Sequence, residues 1–191
     1  MRAALNGLYR LSGWLAAFFI LAICLLVFAQ VLLNLVDRLS SLFTGSAVGL
    51  AIPSYADFTG FFLAAASFFA LAHTLREGGH IRVSLLIQYA GPGMRRILEL
   101  WCATLAATVA IYFSWYAALL VHESYVYHDL SSGMIAVPIW IPQAAVLAGL
   151  VVLSIALLDE VWSILGGAWP SYHNKGESLL EHPDSPSEYE D

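Results

Sequence analysis

The residues best able to do chemistry are few, and three of them follow one another late in the first apolar run. Gln30, Asn34 and Asp37 are spaced i, i+4 and i+7, which places them on one face of a helix. In lipid, an amide or carboxylate without a hydrogen-bond partner costs about 1–2 kcal/mol or more, so such groups seek a protein partner. Pairing within this chain and pairing with another subunit both meet that need.

A second group of candidates, Arg76, His80 and Arg82, lies in residues 76–83. Gly78 and Gly79 predict that a helix ends here, with Arg76 in its last turn. The simplest interpretation is a helix end followed by cytoplasmic positive charge. The other is a contact with a partner subunit, in which a guanidinium would make bidentate hydrogen bonds.

Asp57 is a further candidate at the start of the second apolar run. It follows Ser54 at the spacing of a capping box, where a carboxylate favours the exposed amides of a helix N-terminus. Cys24 and Cys102 lie deep in apolar sequence without a ligand spacing, which excludes a zinc site or a disulfide framework. No dinucleotide fingerprint or phosphate loop is present. We therefore predict no catalytic residue, no metal site and no cofactor in this chain, which would not be an enzyme.

The composition shows which solvent must surround these residues. Of 191 residues, 60% are hydrophobic and 12% are charged, and the mean hydropathy is +0.74. A soluble domain needs about a quarter of its residues charged. The net charge of −6, with eight basic residues, leaves no broad basic surface for nucleic acid. The chain is predicted to have the lipid bilayer as its main partner.

The spacing of charges divides the chain into membrane spans. Uncharged stretches of 26, 18, 23 and 29 residues separate charged positions. A spanning helix needs about 20 apolar residues to cross about 30 Å of hydrocarbon. We predict an all-α membrane protein with four transmembrane helices near 11–36, 55–76, 97–121 and 138–161. Residues 39–54, rich in serine and glycine, are predicted to form a loop.

The basic residues predict the orientation. In a four-span arrangement, seven of the eight lie on the side that carries both termini and the second loop, which predicts cytoplasmic N- and C-termini. Residues 80–90 have apolar side chains at helical spacing and are predicted to form an amphipathic connecting segment on the cytoplasmic membrane surface. Residues 170–191 contain six acids and three prolines, so a disordered acidic cytoplasmic tail is expected to follow a transmembrane domain over 1–169.

Small residues recur four positions apart within the predicted spans. Ala66 and Ala70 form one such pair, and Ala145 and Gly149 form another. Pairs of this kind let helices approach closely. Packing inside this chain is the favoured interpretation, and packing against another subunit is the alternative.

The distribution of ionisable groups limits the function. An autonomous ion-coupled transporter is expected to hold such groups near the membrane midplane, whereas here they fall at the ends of the predicted spans. The residues therefore predict a membrane subunit whose partner does the chemistry. The alternative is a membrane-anchor subunit of a redox enzyme, in which histidines on facing helices ligate a haem. The predicted topology weakens this alternative. His73 and His80 lie towards the cytoplasmic side of the membrane and His122 and His128 towards the other side, whereas one haem needs both axial ligands at the same depth.

Three segments together resemble a known family. The pair Gln30-Val31, residues 75–83 and residues 137–142 resemble, in this order along the chain, the small four-span membrane subunit of tripartite ATP-independent periplasmic (TRAP) transporters. The resemblance covers roughly residues 10–165. Asn34 stands where many members carry an arginine, and Ser84 stands where an aspartate is frequent.

The resemblance implies a role in secondary transport at the bacterial inner membrane. In such systems a periplasmic binding protein delivers an organic acid, and a large membrane subunit carries the substrate and sodium sites and moves as an elevator. The small subunit packs against the static scaffold of the large subunit and braces it. Sodium coupling is then expected in the large partner subunit, and the sequence does not name the substrate.

Overall fold

The computed structural model describes residues 2–46, 49–76 and 92–166. These residues form four α-helices: α1, Arg2–Thr44; α2, Tyr55–Arg76; α3, Pro92–Val126; and α4, Trp140–Leu165. Within the described ranges there is no β-strand, only an isolated bridge between Leu130 and Pro138. All four helices are long and apolar enough to cross a membrane. The predicted all-α fold with four transmembrane helices is confirmed, whereas the predicted segment 80–90 and the tail 170–191 lie outside the described residues.

The observed helix bounds match the prediction for α2 and differ from it elsewhere. Helix α3 is longer than the predicted span 97–121 at both ends, and α4 begins and ends later than 138–161. The predicted loop over 39–54 is wrong for its first six residues, because α1 continues to Thr44. The backbone N–H of Gly45 still donates to the Ser41 carbonyl, and the helix ends where Gly45 adopts φ +73°, a conformation that glycine tolerates well.

The helices lie in a row rather than around a common centre. Helix α1 packs along α2, α2 along α4, and α4 along α3, while α1 touches α4 only slightly. Neighbouring α1 and α2 are antiparallel, as are α3 and α4, whereas α2 and α4 at the middle of the row run in the same direction. Helix α1 has 43 residues and is therefore about 64 Å long, roughly twice the thickness of the hydrocarbon core. It must tilt or project beyond the lipid.

Small side chains occupy the contacts between neighbouring helices. Ala16 and Ala65 are buried where α1 meets α2, and Ala107 and Ala110 are buried where α3 meets α4. At the α2–α4 contact, a Cβ added at Gly149 would lie 2.7 Å from the Phe68 backbone carbonyl carbon. This glycine therefore sets how closely the two central helices approach.

Serine hydroxyls link helices inside the apolar region. Ser12 Oγ on α1 donates to the Phe69 carbonyl oxygen on α2 at 2.5 Å. Ser114 Oγ and Ser154 Oγ lie 3.2 Å apart and join α3 to α4. Where lipid offers no competing hydrogen-bond partner, each such contact is typically worth about 0.6–2 kcal/mol. Lipid solvates the apolar surfaces of separated helices as well as those of packed helices. These hydrogen bonds therefore help to hold the helices in position.

The row leaves much of its apolar surface without a partner in this chain. Large exposed side chains cover α1, including Leu11, Phe18, Leu21, Leu25 and Phe28. A second set on α3 comprises Trp101, Leu105, Tyr112, Trp115 and Tyr116. Such surfaces are suited to lipid or to another membrane protein. Because α1 and α3 lie at the two ends of the row, each presents a broad apolar face.

Candidate functional site

The strongest polar cluster joins α1, α2 and α4 on the side of the molecule where α2 and α4 terminate. We call it the Arg76 junction and define it by Asn6, Tyr9, Arg76 and Asp159. Arg76 donates from Nη1 to Asn6 Oδ1 at 2.7 Å and from Nη2 to Asp159 Oδ2 at 2.5 Å. Its guanidinium carbon also lies 4.7 Å from the centroid of the Tyr9 ring, which is a cation–π distance. One side chain thereby ties α1, α2 and α4 together.

The local sequence explains why these groups meet. Asn6 and Tyr9 are three residues apart and so share a face of α1. Arg76 is in the last turn of α2, where a cation also complements the helix dipole. The Tyr9 ring is almost fully buried, and the Arg76 and Asp159 side chains are only 23% and 28% exposed. This limited exposure makes the ion pair stronger than a freely solvated one.

Further charged groups occupy the same end of the molecule. Arg96 on α3 donates from Nη2 to the Ile164 carbonyl oxygen at 2.8 Å, which satisfies a carbonyl in the last turn of α4. Glu99 and Glu160 are buried, at 6% and 4% exposure, and both interact with other groups. Ionisable side chains therefore gather where α2 and α4 end and α3 begins.

At the opposite end of α1, the predicted polar face binds the backbone of the following loop. Gln30 Oε1 accepts a hydrogen bond from the Ile52 N–H, and Asp37 Oδ1 accepts one from the Gly49 N–H, both at 2.8 Å. Asn34 Oδ1 accepts a hydrogen bond from Gln30 Nε2 at 3.2 Å. Of the two kinds of pairing that the spacing allows, the structure shows the internal one for these contacts. We call this set the loop junction.

Ser54 and Asp57 contact the loop that connects α3 to α4. Ser54 Oγ accepts a hydrogen bond from the Ile135 N–H at 2.9 Å. A side chain at Gly133 would collide with the Asp57 carboxylate and the Ser54 hydroxyl, so glycine lets this loop lie directly on the start of α2. Asp57 is in the first turn of α2, as the capping-box spacing predicts, while the Ser54 hydroxyl serves a distant loop.

The structure brings together only some of the sequence candidates. Gln30, Asn34 and Asp37 form the loop junction, Asp57 lies at the start of α2, and Arg76 lies at the other end of the same helix. His80 and Arg82 lie outside the described residues, and their roles stay predictions.

Three members of the Arg76 junction are not among the candidates that the sequence indicates. Asp159 carried a usable signal, because the predicted topology places it on the same side as Arg76, at the end of a neighbouring span. Asn6 and Tyr9 carried none, since they precede the predicted first span.

The described side chains provide no group of three or more His, Cys, Asp or Glu residues that could hold a metal ion. The histidines within the described ranges are dispersed: His73 is on α2, His122 is on α3 and His128 is in the following loop. The polar groups instead make hydrogen bonds and ion pairs between elements of the chain. What the fold and its polar contacts define is a multi-pass membrane protein whose polar groups organise the ends of its helices.

Comparison with known proteins specifies this class. A family model described as the DctQ component of tripartite ATP-independent periplasmic transporters matches residues 23–167. The chain belongs to this family and is therefore a component of a TRAP transporter. A search of curated proteins and a search of solved structures each find no match.

Proposed function

We propose that this chain is the small subunit that braces the large, sodium-coupled membrane subunit of a TRAP transporter. The large subunit would take up an organic acid delivered by a periplasmic binding protein. The observation that carries the proposal is the row of helices, with a broad apolar face at each end. A row offers more contact surface to a neighbouring membrane protein than a closed bundle of the same helices.

The polar contacts support a static role within that complex. The Arg76 junction links α1, α2 and α4, and Arg96 links α3 to α4. The loop junction and the contacts of Ser54 fix the connecting loops at the opposite end. A scaffold against which an elevator subunit moves must keep its helices in constant relation, and contacts at both ends serve this need.

The distribution of charge supports a division of labour with the large subunit. Charged residues lie at the two ends of each long uncharged stretch. Substrate carboxylate and sodium sites near a membrane midplane need polar or ionisable groups there. Those sites therefore belong to the large subunit in this proposal, and no cofactor is assigned to this chain. Membership of a transporter family favours this role over a redox anchor.

Affinity purification of the tagged chain from its native membrane tests the assignment of the partner. We expect a large multi-span membrane protein to copurify in a fixed ratio. Leu25→Glu places a charge on the apolar face of α1, and Leu105→Glu places one on the apolar face of α3. Comparing the two variants should show which face binds the partner. If neither variant lowers recovery of the partner while both still insert, the end faces are not the interface. Purification with a haem protein in place of a permease would instead support the redox alternative.

A further inference from the structure

A groove runs between residues 10–17 of α1 and the last turn of α2, next to the Arg76 junction. Its described lining residues are Arg10, Gly13, Trp14, Ala17 and His73, and its volume is about 350 Å³. Ligand clefts in proteins typically measure about 300–1,000 Å³. The groove opens to the surroundings of the protein, and its lining is apolar except at Arg10 and His73.

The polar groups of this groove favour an anion. Arg10 is exposed and, among the residues that the structure describes, makes no ion pair or hydrogen bond. The nearby Arg76 differs in this respect, because Asp159 already balances its charge. No carboxylate is among the described residues that line the groove. A ligand phosphate could therefore accept hydrogen bonds from Arg10 without repulsion from a neighbouring acid.

Gly13 lets His73 form one wall of the groove. A Cβ added at Gly13 would lie 2.9 Å from His73 Cγ, so the imidazole lies against the backbone of α1. In this position the ring is one turn of α2 before Arg76 and faces the same groove as Arg10. It offers a second nitrogen donor to an anion bound there.

The order of residues along α1 places the groove at the boundary of the membrane. Arg10 is the last charged residue before 26 uncharged residues. Trp14, one turn further along, is 72% exposed, and tryptophan is enriched at the level of lipid headgroups. Ala17, almost another turn along, leaves room beside the helix at the depth where acyl chains begin. The groove thus has a cationic end at headgroup depth and an apolar end in the hydrocarbon.

We propose that this groove binds an anionic phospholipid of the phosphatidylglycerol class. Arg10 and His73 donate hydrogen bonds to the headgroup phosphate, and one acyl chain follows Trp14 and Ala17. The bound lipid fills the space between α1 and α2 beside the Arg76 junction. This binding site goes beyond the proposed role in transport and does not depend on it.

Electron paramagnetic resonance of spin-labelled lipids tests the proposal. The full-length chain is reconstituted in phosphatidylcholine vesicles that contain trace spin-labelled phosphatidylglycerol or spin-labelled phosphatidylcholine. We expect the protein to immobilise the phosphatidylglycerol label preferentially. Arg10→Gln should reduce this preference by about fivefold, the factor that corresponds to about 1 kcal/mol per basic side chain at an anionic surface. Ala17→Trp, which fills the groove without changing charge, should reduce it as well.

Arg38→Gln is the matched control, because Arg38 is also exposed and lies near the other end of α1. It should leave most of the preference intact. An equal loss in Arg38→Gln and Arg10→Gln would show general electrostatic attraction and overturn the proposal, as would wild-type preference in both groove variants. Displacement of the label by excess inorganic phosphate would show that the site recognises free phosphate instead. Loss of the preference when the large subunit is added would show that protein rather than lipid occupies the groove in the complex, and would overturn the proposal.

Discussion

Arg76 makes three different kinds of contact with three different side chains. It donates to an amide oxygen, forms an ion pair with a carboxylate and covers an aromatic ring. The planar guanidinium makes this possible, since its donors point in fixed and divergent directions. A lysine ammonium carries the same charge at a single point and could serve Asp159 or Asn6, but not both with the same geometry.

Arg76→Lys is therefore expected to destabilise the purified chain. Loss of a hydrogen bond and of the ring contact should cost about 1–2 kcal/mol, because one partner is charged and the site is only partly exposed. Thermal unfolding in detergent is the measurement, and Arg38→Lys at an exposed position is the control. If Arg76→Lys unfolds at the wild-type temperature, Arg76 supplies only positive charge on its side of the membrane.

A double-mutant cycle isolates the ion pair within the junction. Arg76→Gln and Asp159→Asn should each destabilise the chain, and the double variant should lose less than the sum of the two. We expect a coupling of about 1–2 kcal/mol, above the 0.2–1 kcal/mol typical of exposed pairs. Additive losses would mean that Asn6 and Tyr9, rather than Asp159, supply the stabilisation.

The contrast between Asp159 and Asn6 shows what the sequence can reveal about such a site. Charge spacing predicts the topology, and the topology places Asp159 beside Arg76 at one membrane surface. Nothing local marks Asn6, because its role arises only when α1 extends well beyond the predicted start of its span. Contacts between elements that are distant in sequence depend on the packing of whole helices, which short patterns do not encode.

Among the helices, two glycines in similar sequence surroundings differ in what they contact. Gly149 on α4 faces the backbone of α2 at Phe68, whereas an added Cβ at Gly60 on α2 would meet nothing within 4 Å. Both belong to pairs of small residues four apart. The pattern alone therefore does not distinguish a close helix contact from an open surface.

Alanine at these two positions should have opposite effects on stability. Gly149→Ala forces the central helices apart and should destabilise the chain by about 1–3 kcal/mol, the usual cost of overpacking. Gly60→Ala should be neutral or stabilise the chain by up to about 1 kcal/mol, because alanine favours the helix. Chemical unfolding in mixed micelles compares the two. Equal effects would show that the α2–α4 contact is looser than the structure indicates.

The helices themselves were largely predictable, and their arrangement was not. Long uncharged stretches identify spans because a bilayer excludes charge, and this constraint is strong. Helix ends outside the lipid lack that constraint, which is why α1 passes the predicted start of the loop at residue 39 and reaches Thr44. The row of helices depends on which small side chains meet, and many pairings of four apolar helices satisfy the same hydropathy pattern.

In the whole molecule, the four helices place both ends of the described chain on the same side of the membrane. The basic residues predict that this side is cytoplasmic. Cysteine labelling at Lys175→Cys and Ser131→Cys, with Cys24 and Cys102 replaced by alanine, measures the orientation. We expect an impermeant thiol reagent added from the periplasm to label position 131 and spare position 175. The reverse pattern would place the Arg76 junction at the periplasmic surface.

The proposed role has this chain brace a transporter and carry no transport site of its own. Sodium-driven uptake of a candidate organic acid into liposomes tests this role, with the binding protein supplied outside. We expect no uptake by this subunit alone and uptake when the large subunit is present with it. Uptake by this subunit alone, driven by the same sodium gradient, would mean that the chain carries its own transport site.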